Sequence, residues 1–419
     1  MKIIIIGAGP GGYETAAEAA AKGIEVVLIS EGPLGGTCLN EGCIPTKALC
    51  TMDAPDQERK RAVIEQLAGG ISQLLRNKLI TLVQGRARLC GGTAAEVDGV
   101  RYDGDALIIA TGSVSASLPI PGAEQAIDSA AMLDLKEVPA RLCVIGGGVI
   151  GLEFASIYRK FGSEVTVLEF CPNVLPRFDV DLAKRLKASL AKRGVTIETA
   201  ARVTAIEGHK VLWSKGEKEF ETEADVILMA VGRRPNLKSL NLDEAGIEYT
   251  PRGIVVNENM QTNVPGVYAI GDIIGGMMLA HVASAHGRRA LNHICGDTDG
   301  IDFGVVPAAV FTVPEAACVG KTEEECAGME IITGKANYRA NGKAVASGEA
   351  DGWCKVIADK ASGRILGAHI LGAHASDIIH EAAVLISLGA TVRQARDIIH
   401  AHPTLSEVLA AAIAACKAN

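Results

Sequence analysis

One glycine-punctuated turn occurs twice in this chain, each time between a strand and a helix. Ile3–Ile6 is an unbroken isoleucine run, as in a parallel strand covered on both faces. It feeds Gly7-Ala8-Gly9-Pro10-Gly11-Gly12, an alanine-rich helix over Tyr13–Lys22 and a second strand at Val26–Ile29. The same order returns at Leu142–Ile145, followed by Gly146-Gly147-Gly148-Val149-Ile150-Gly151, a helix to Phe161 and a strand at Val165–Leu168. In Gly-x-Gly-x-x-Gly the first glycine (Gly7, Gly146) makes the turn. The second (Gly9, Gly148) lets the backbone approach a pyrophosphate, and the third (Gly12, Gly151) lets helix pack on strand. The helix N-terminus then holds the phosphate charge. A single match also suits other α/β turns; two matches in the same context predict two Rossmann-like dinucleotide-binding folds.

Two further echoes support duplication. Leu107–Ala110 closes the first copy and ends in Thr111-Gly112; Val226–Val231 closes the second and ends in Gly232. A third strand, Val267–Ile270, ends in Gly271-Asp272. These glycines belong at the ligand edge of their sheets. From Pro307 the composition changes to hairpin-like strands (Trp353–Ala358, Arg364–Leu371) and helices (Ala375–Leu388, Thr391–Ile399) without a glycine–phosphate motif. The expected fold is α/β: a discontinuous first nucleotide domain (1–117 and 244–303), a second (118–243) and a C-terminal α+β domain (304–419).

Length and composition agree. At about 100–200 residues per domain, 419 residues make two to four domains. An apolar fraction of 48% with 21% charged residues belongs to a folded globular chain. A net charge of −8 disfavours nucleic acid or an anionic membrane as the main partner. No apolar run approaches the roughly 18 residues of a membrane span, and the four isoleucines after Lys2 are too few for a secretory signal. A cytoplasmic location follows, with most of the eleven cysteines reduced and buried. No metal site is expected.

The residue ending the second strand of a dinucleotide fold selects the cofactor: an acidic side chain accepts ribose hydroxyls, whereas a 2′-phosphate needs a base. In the second copy this residue is Glu169, eighteen places past Gly151, with Arg177 the first arginine after it. The reading is NAD rather than NADP; a solvated surface glutamate is the alternative. In the first copy the same count reaches Ser30, with Glu31 one place late. Shortly afterwards comes Cys38-Leu39-Asn40-Glu41-Gly42-Cys43. On a regular helix those cysteines stand roughly 7.5 Å apart along the axis, beyond the roughly 4.4–6.8 Å of a disulfide. A bridge therefore needs a distorted helix start, which Gly42 permits, and strained disulfides tend to be labile and catalytic. Two free core cysteines are the alternative.

Gly35-Gly36-Thr37-Cys38 through Cys43-Ile44-Pro45-Thr46-Lys47 resembles the redox-active segment of the pyridine-nucleotide disulfide oxidoreductases. His400-Ala401-His402-Pro403-Thr404-Leu405-Ser406-Glu407 resembles their C-terminal active-site segment. The wording is nearest to the dihydrolipoamide-oxidising branch, and the resemblance runs the length of the chain. It implies FAD on the first fold, with Gly36, Thr37, Thr111, Gly112, Gly271 and Asp272 about it, and NAD on the second. It implies a redox disulfide in which Cys43 is flavin-proximal and Cys38 exchanges with substrate. Lys47 would lie near the flavin ring and Glu153 near the nicotinamide. The C-terminal domain would form a homodimer in which His402 of one subunit, oriented by Glu407, serves the other as acid–base. The implied substrate is a lipoyl-bearing protein of a 2-oxoacid dehydrogenase, acetoin or glycine-cleavage complex, with no lipoyl domain fused ahead of Met1.

Three points qualify this. Thr404–Glu407 also reads as a capping box before Val408–Ala415, so Glu407 has two candidate roles. His374 and His380 read as ordinary surface or interface groups and His400 as a decoy. The stretch after Cys43 is shorter than the family pattern, which would leave the disulfide less shielded. Reduction of another small disulfide, or a flavin-binding redox sensor, are the competing functions; a sensor needs no acid–base pair.

Overall fold

The computed structural model describes residues 1–238 and 240–417. They divide into two compact units: 1–117, 128–136 and 232–301, then 118–127, 137–231 and 302–417.

The first unit is built on a five-stranded parallel sheet in the order Val267–Ala269, Ala106–Ile109, Lys2–Ile6, Glu25–Ser30, Ile80–Gln84. Ile3, Ile4 and Ile5 are fully buried, as a strand covered on both faces requires. The helix Pro10–Ala21 starts earlier than expected because Pro10 suits the first helical turn. It packs closely on the helix Ala280–Cys295: a Cβ on Gly11 would press on Ala283 O, and one on Gly287 would overlap Thr15 Oγ1. The redox segment forms two short helices, Gly36–Asn40 and Cys43–Cys50. The second ends at Cys50, and after a short turn Asp56 caps the helix Gln57–Leu74 by accepting from Arg59 N.

The second unit repeats the parallel sheet, in the order Val195–Thr199, Glu164–Glu169, Arg141–Ile145, Val226–Met229. It also holds the C-terminal antiparallel sheet of Ala308–Val310, Ala316–Gly320, Ile365–Leu371, Trp353–Asp359 and Ile331–Asn337. A buried charge cluster ties this sheet to the nucleotide fold. Lys355, 0% exposed, reaches Asp179 at 2.7 Å and Glu323 at 2.8 Å. Burial pushes Asp179 up, but Lys355 and the N–H of Leu182 outweigh it and hold the carboxyl below its usual range.

The structure corrects several expectations. Asp128–Lys136 and Gly232–Asp243 go with the first unit rather than the second nucleotide fold. Lys60 Nζ donates to Leu133 O at 2.6 Å and Asp134 at 2.7 Å, and Arg233–Pro235 pairs antiparallel with Ser113–Ser115. The helix expected over Thr391–Ile399 spans Val392–Arg396, opened by a Thr391–Gln394 capping box. Four cysteines (Cys143, Cys326, Cys354, Cys416) are buried and the other seven half-buried, because most sit at element ends rather than within packed strands.

Candidate active site

In the first unit the parallel strands deliver Gly7, Ser30, Thr111 and Gly271 to one sheet edge. Each turn glycine is needed for a different reason. Gly7 has φ +110°, and a Cβ there would overlap Ala110 O; a Cβ on Gly12 would overlap Gly7 O. A Cβ on Gly9 meets no described atom within 4 Å, which leaves this face of the turn open for close approach by a ligand. No side chain caps the helix that Gly9 opens. The second unit repeats all of this: Gly146 against Ala230 O, Gly151 against Gly146 O, and Gly148 facing open space. An open cradle at a helix N-terminus fits the diphosphate of a dinucleotide in both places.

Around the first turn, Gly36 has φ +57°, and its Cβ would press on Gly9 Cα; Gly35 N–H donates to Ala8 O at 2.9 Å. The redox segment is thus seated on the dinucleotide turn. Ser30 donates to Gly32 O, while the exposed Glu31 pairs with Arg86. The Gly112 carbonyl accepts from Asn236 N–H at 2.9 Å. Asp272 accepts from Ser113 Oγ at 2.5 Å, and Ser113 in turn accepts from Arg233 Nε at 2.7 Å. Sequence reasoning missed Arg86, Ser113 and Arg233, since no spacing rule links partners 55, 159 or 120 positions apart.

Gly271 N–H donates to Nδ1 of His286 at 3.3 Å, which requires that nitrogen unprotonated. Burial, helped by Arg289, pushes His286 from 6.5 down to about 4. The unfolded chain therefore binds the extra proton between those values, and stability falls as pH falls from about 6.5 to about 4. His286→Asn keeps an acceptor for Gly271 without titrating. The wild-type urea midpoint should drop relative to this variant across that window; parallel pH curves would refute the assignment.

Cys38 and Cys43 come together because the helix breaks between them. Glu41 leaves helical geometry, a Cβ on Gly42 would press on Thr37 O, and Cys43 opens the next helix. The Cys38 thiol is raised above its ordinary value, first by its hydrogen bond with Cys43, then by burial, with Lys47 opposing. Lys47 lies one turn beyond Cys43 on the same helix, and Thr37 is exposed beside Cys38.

In the second unit Glu169 is 7% exposed, so it is not a solvated surface residue. Its carboxylate accepts from Gly147 N at 2.5 Å and Cys171 N at 2.6 Å. A Cβ on Gly147 would stand 3.0 Å from Glu169 Cβ, so a side chain at this variable position of the turn would crowd the carboxylate. Glu153, 4% exposed, accepts from Phe311 N at 3.0 Å. Gly232, expected on this fold, clusters with the first unit, its carbonyl accepting from Ala116 N.

The C-terminal segment has two histidines with different surroundings. His402 Nδ1 lies 2.9 Å from Glu407, and its side chain is 76% exposed. Glu407 also accepts from Thr404 N at 2.8 Å, but Thr404 Oγ1 donates to Ala401 O and the helix begins only at Glu407, so the expected capping box is not formed. That N–H, then His402, hold the Glu407 carboxyl below its ordinary range. The arrangement orients an imidazole and leaves its other face to solvent, as acid–base work requires.

Paired dinucleotide cradles and a juxtaposed cysteine pair define a nucleotide-dependent disulfide oxidoreductase. Residues 1–287 match the family described as pyridine nucleotide-disulphide oxidoreductase, and residues 306–413 match its dimerisation domain. The chain belongs to this family, whose members bind FAD and a nicotinamide dinucleotide. It is 37% identical to a dihydrolipoyl dehydrogenase of Bacillus subtilis (strain 168), covering 98% of this chain and 97% of that one. A leghemoglobin reductase of Glycine max is 38% identical over 97% of this chain and 86% of its own. The Bacillus alignment runs over 444 positions against 419 residues here, so that relative carries segments this chain lacks. Among solved structures, the HOCl-induced flavoprotein disulfide reductase RclA of Escherichia coli superimposes with a TM-score of 0.91 at 31% identity, covering 100% of both chains. No helix among the described residues is long and apolar enough to cross a membrane.

Proposed function

We propose that this chain is a homodimeric, cytoplasmic flavoenzyme that oxidises protein-bound dihydrolipoyl groups with NAD⁺. The observation that carries the reading is the solvent-open His402 held by Glu407, because thiol–disulfide exchange needs a group to take and return protons. His402 removes a proton from the substrate dithiol. The resulting thiolate attacks Cys38 of the oxidised pair, forming a mixed disulfide and releasing Cys43 as thiolate. The second substrate thiol then displaces Cys38, and His402 holds the proton in transit. FAD supplies the two-electron relay between a dithiol and a nicotinamide. The open face of Gly9 would receive its diphosphate, with Thr111, Gly112, Gly271 and Asp272 about the cofactor and Lys47 near its flavin ring. Gly148 and Glu169 receive the nicotinamide dinucleotide; the buried carboxylate favours NAD, since a 2′-phosphate beside it would be repelled. Exposed apolar side chains in the C-terminal region, Ile399 at 96%, support a dimer. The proposed division is two nucleotide domains and a third, interface domain, with 128–136 and 232–243 belonging to the first.

The likeness to RclA supports a second reading, reduction of another disulfide. One assay separates them: the FAD-loaded protein is given lipoamide or glutathione disulfide, each with NADH or NADPH. Lipoamide turnover with NADH is expected to dominate. Absence of lipoamide turnover would end the main reading, and a preference for NADPH would end the role of Glu169.

A further inference from the structure

Three histidine–carboxylate pairs surround the C-terminal segment: His374–Asp377 at 3.2 Å, His402–Glu407 at 2.9 Å and His400–Glu381 at 2.7 Å. The first lies within one helical turn and is largely exposed. The second lies within the segment itself. The third differs, because it joins the segment to the helix Ala375–Ser387, nineteen positions earlier, and the His400 side chain is only 10% exposed.

The two ring nitrogens of His400 both face acceptors: Nε2 faces Glu381, and Nδ1 faces Ile398 O at 3.2 Å. This ring is therefore occupied on both sides and suits holding rather than proton exchange, unlike His402. Between the helices Val392–Arg396 and Glu407–Ala415 the chain has no helix or strand of its own. Its course depends on ties from elsewhere. Glu381 grips His400, and Asn341 Nδ2 donates to Thr404 O at 2.9 Å. Beside this stretch lies a cleft of about 400 Å³ lined by Lys343, Asp377, Glu381, Pro403 and Thr404. Without its tie the segment has room to move into that space.

We infer that Glu381 is a positioning residue for disulfide exchange: by gripping His400 it fixes the segment that presents His402. The inference rests on the reading of His402–Glu407 as the acid–base pair. A displacement of about 1 Å at a reacting group costs up to about a hundredfold in rate, and partial loosening costs less.

The test uses the FAD-loaded dimer. Glu381→Ala should lower kcat for lipoamide about tenfold while KM and NADH-to-dye activity change little. Glu381→Gln, which keeps an acceptor oxygen at the same reach, should recover most of that loss. His400→Ala should resemble Glu381→Ala, and the double variant should be no worse than either, because the pair acts as one unit. Unchanged kcat in Glu381→Ala, a parallel loss of dye activity, no recovery with Gln, or additive losses would each overturn the inference. His402→Gln is run alongside. If it retains lipoamide turnover, the acid–base reading fails and this inference with it. If it is crippled while Glu381→Ala is not, the positioning role alone fails.

Discussion

Cys43→Ser should yield a protein that still binds FAD but turns over lipoamide at least about a thousandfold more slowly, as expected when a reacting group is deleted. Serine cannot close a disulfide with Cys38, and its hydroxyl is not a usable thiolate near neutral pH. The juxtaposition is specific: Cys43 opens its helix and hydrogen-bonds the Cys38 thiol, so removing either member destroys the pair. The two serine variants should nevertheless differ. On two-electron reduction the wild type should show a long-wavelength thiolate–flavin absorption band. Cys38→Ser should retain that band, and Cys43→Ser should lose it. Persistence of the band in Cys43→Ser together with its loss in Cys38→Ser would reverse the roles given to the two thiols.

His402→Gln should slow lipoamide turnover about 10²- to 10⁴-fold, the range for loss of a general acid–base, and leave NADH-to-dye activity largely intact. Glutamine can still accept or donate a hydrogen bond toward Glu407, so the local structure is preserved while the titrating group is gone. Glu407 stays ionised through Thr404 N–H and His402, and its loss should cost less because it orients without exchanging protons. Equal loss of lipoamide and dye activities in His402→Gln would show that the residue supports the fold rather than the exchange.

Much of this site was legible because its requirements are local. Each glycine turn is a contact between atoms a few residues apart, such as a third-glycine Cβ against the first-glycine carbonyl, and occurs in both units. The helix break between the paired cysteines was legible for a similar reason. Helix geometry excludes their contact on an unbroken helix, and the break falls at Glu41-Gly42, between them. The helix at 391–399 was overextended, since apolar spacing continues through Ile398 and Ile399 although both point outward, Ile399 almost wholly. Gly232 looked like the end of the second fold by analogy with Gly112. Yet the strand that follows it, Arg233–Pro235, pairs with Ser113–Ser115 and draws it into the first unit.

The sequence by itself determined the two dinucleotide folds, because each glycine turn is set by backbone geometry over a short stretch, while the cysteine pair and the His402–Glu407 unit were legible through the family resemblance of their segments. The tertiary structure alone decided the ties between distant residues: Arg233 with Ser113 and Asp272, Gly271 with His286, and Glu381 with His400. Periodicity records which face of an element is apolar but not which polar side chain will meet it, and these partners meet only once sheets and helices have packed.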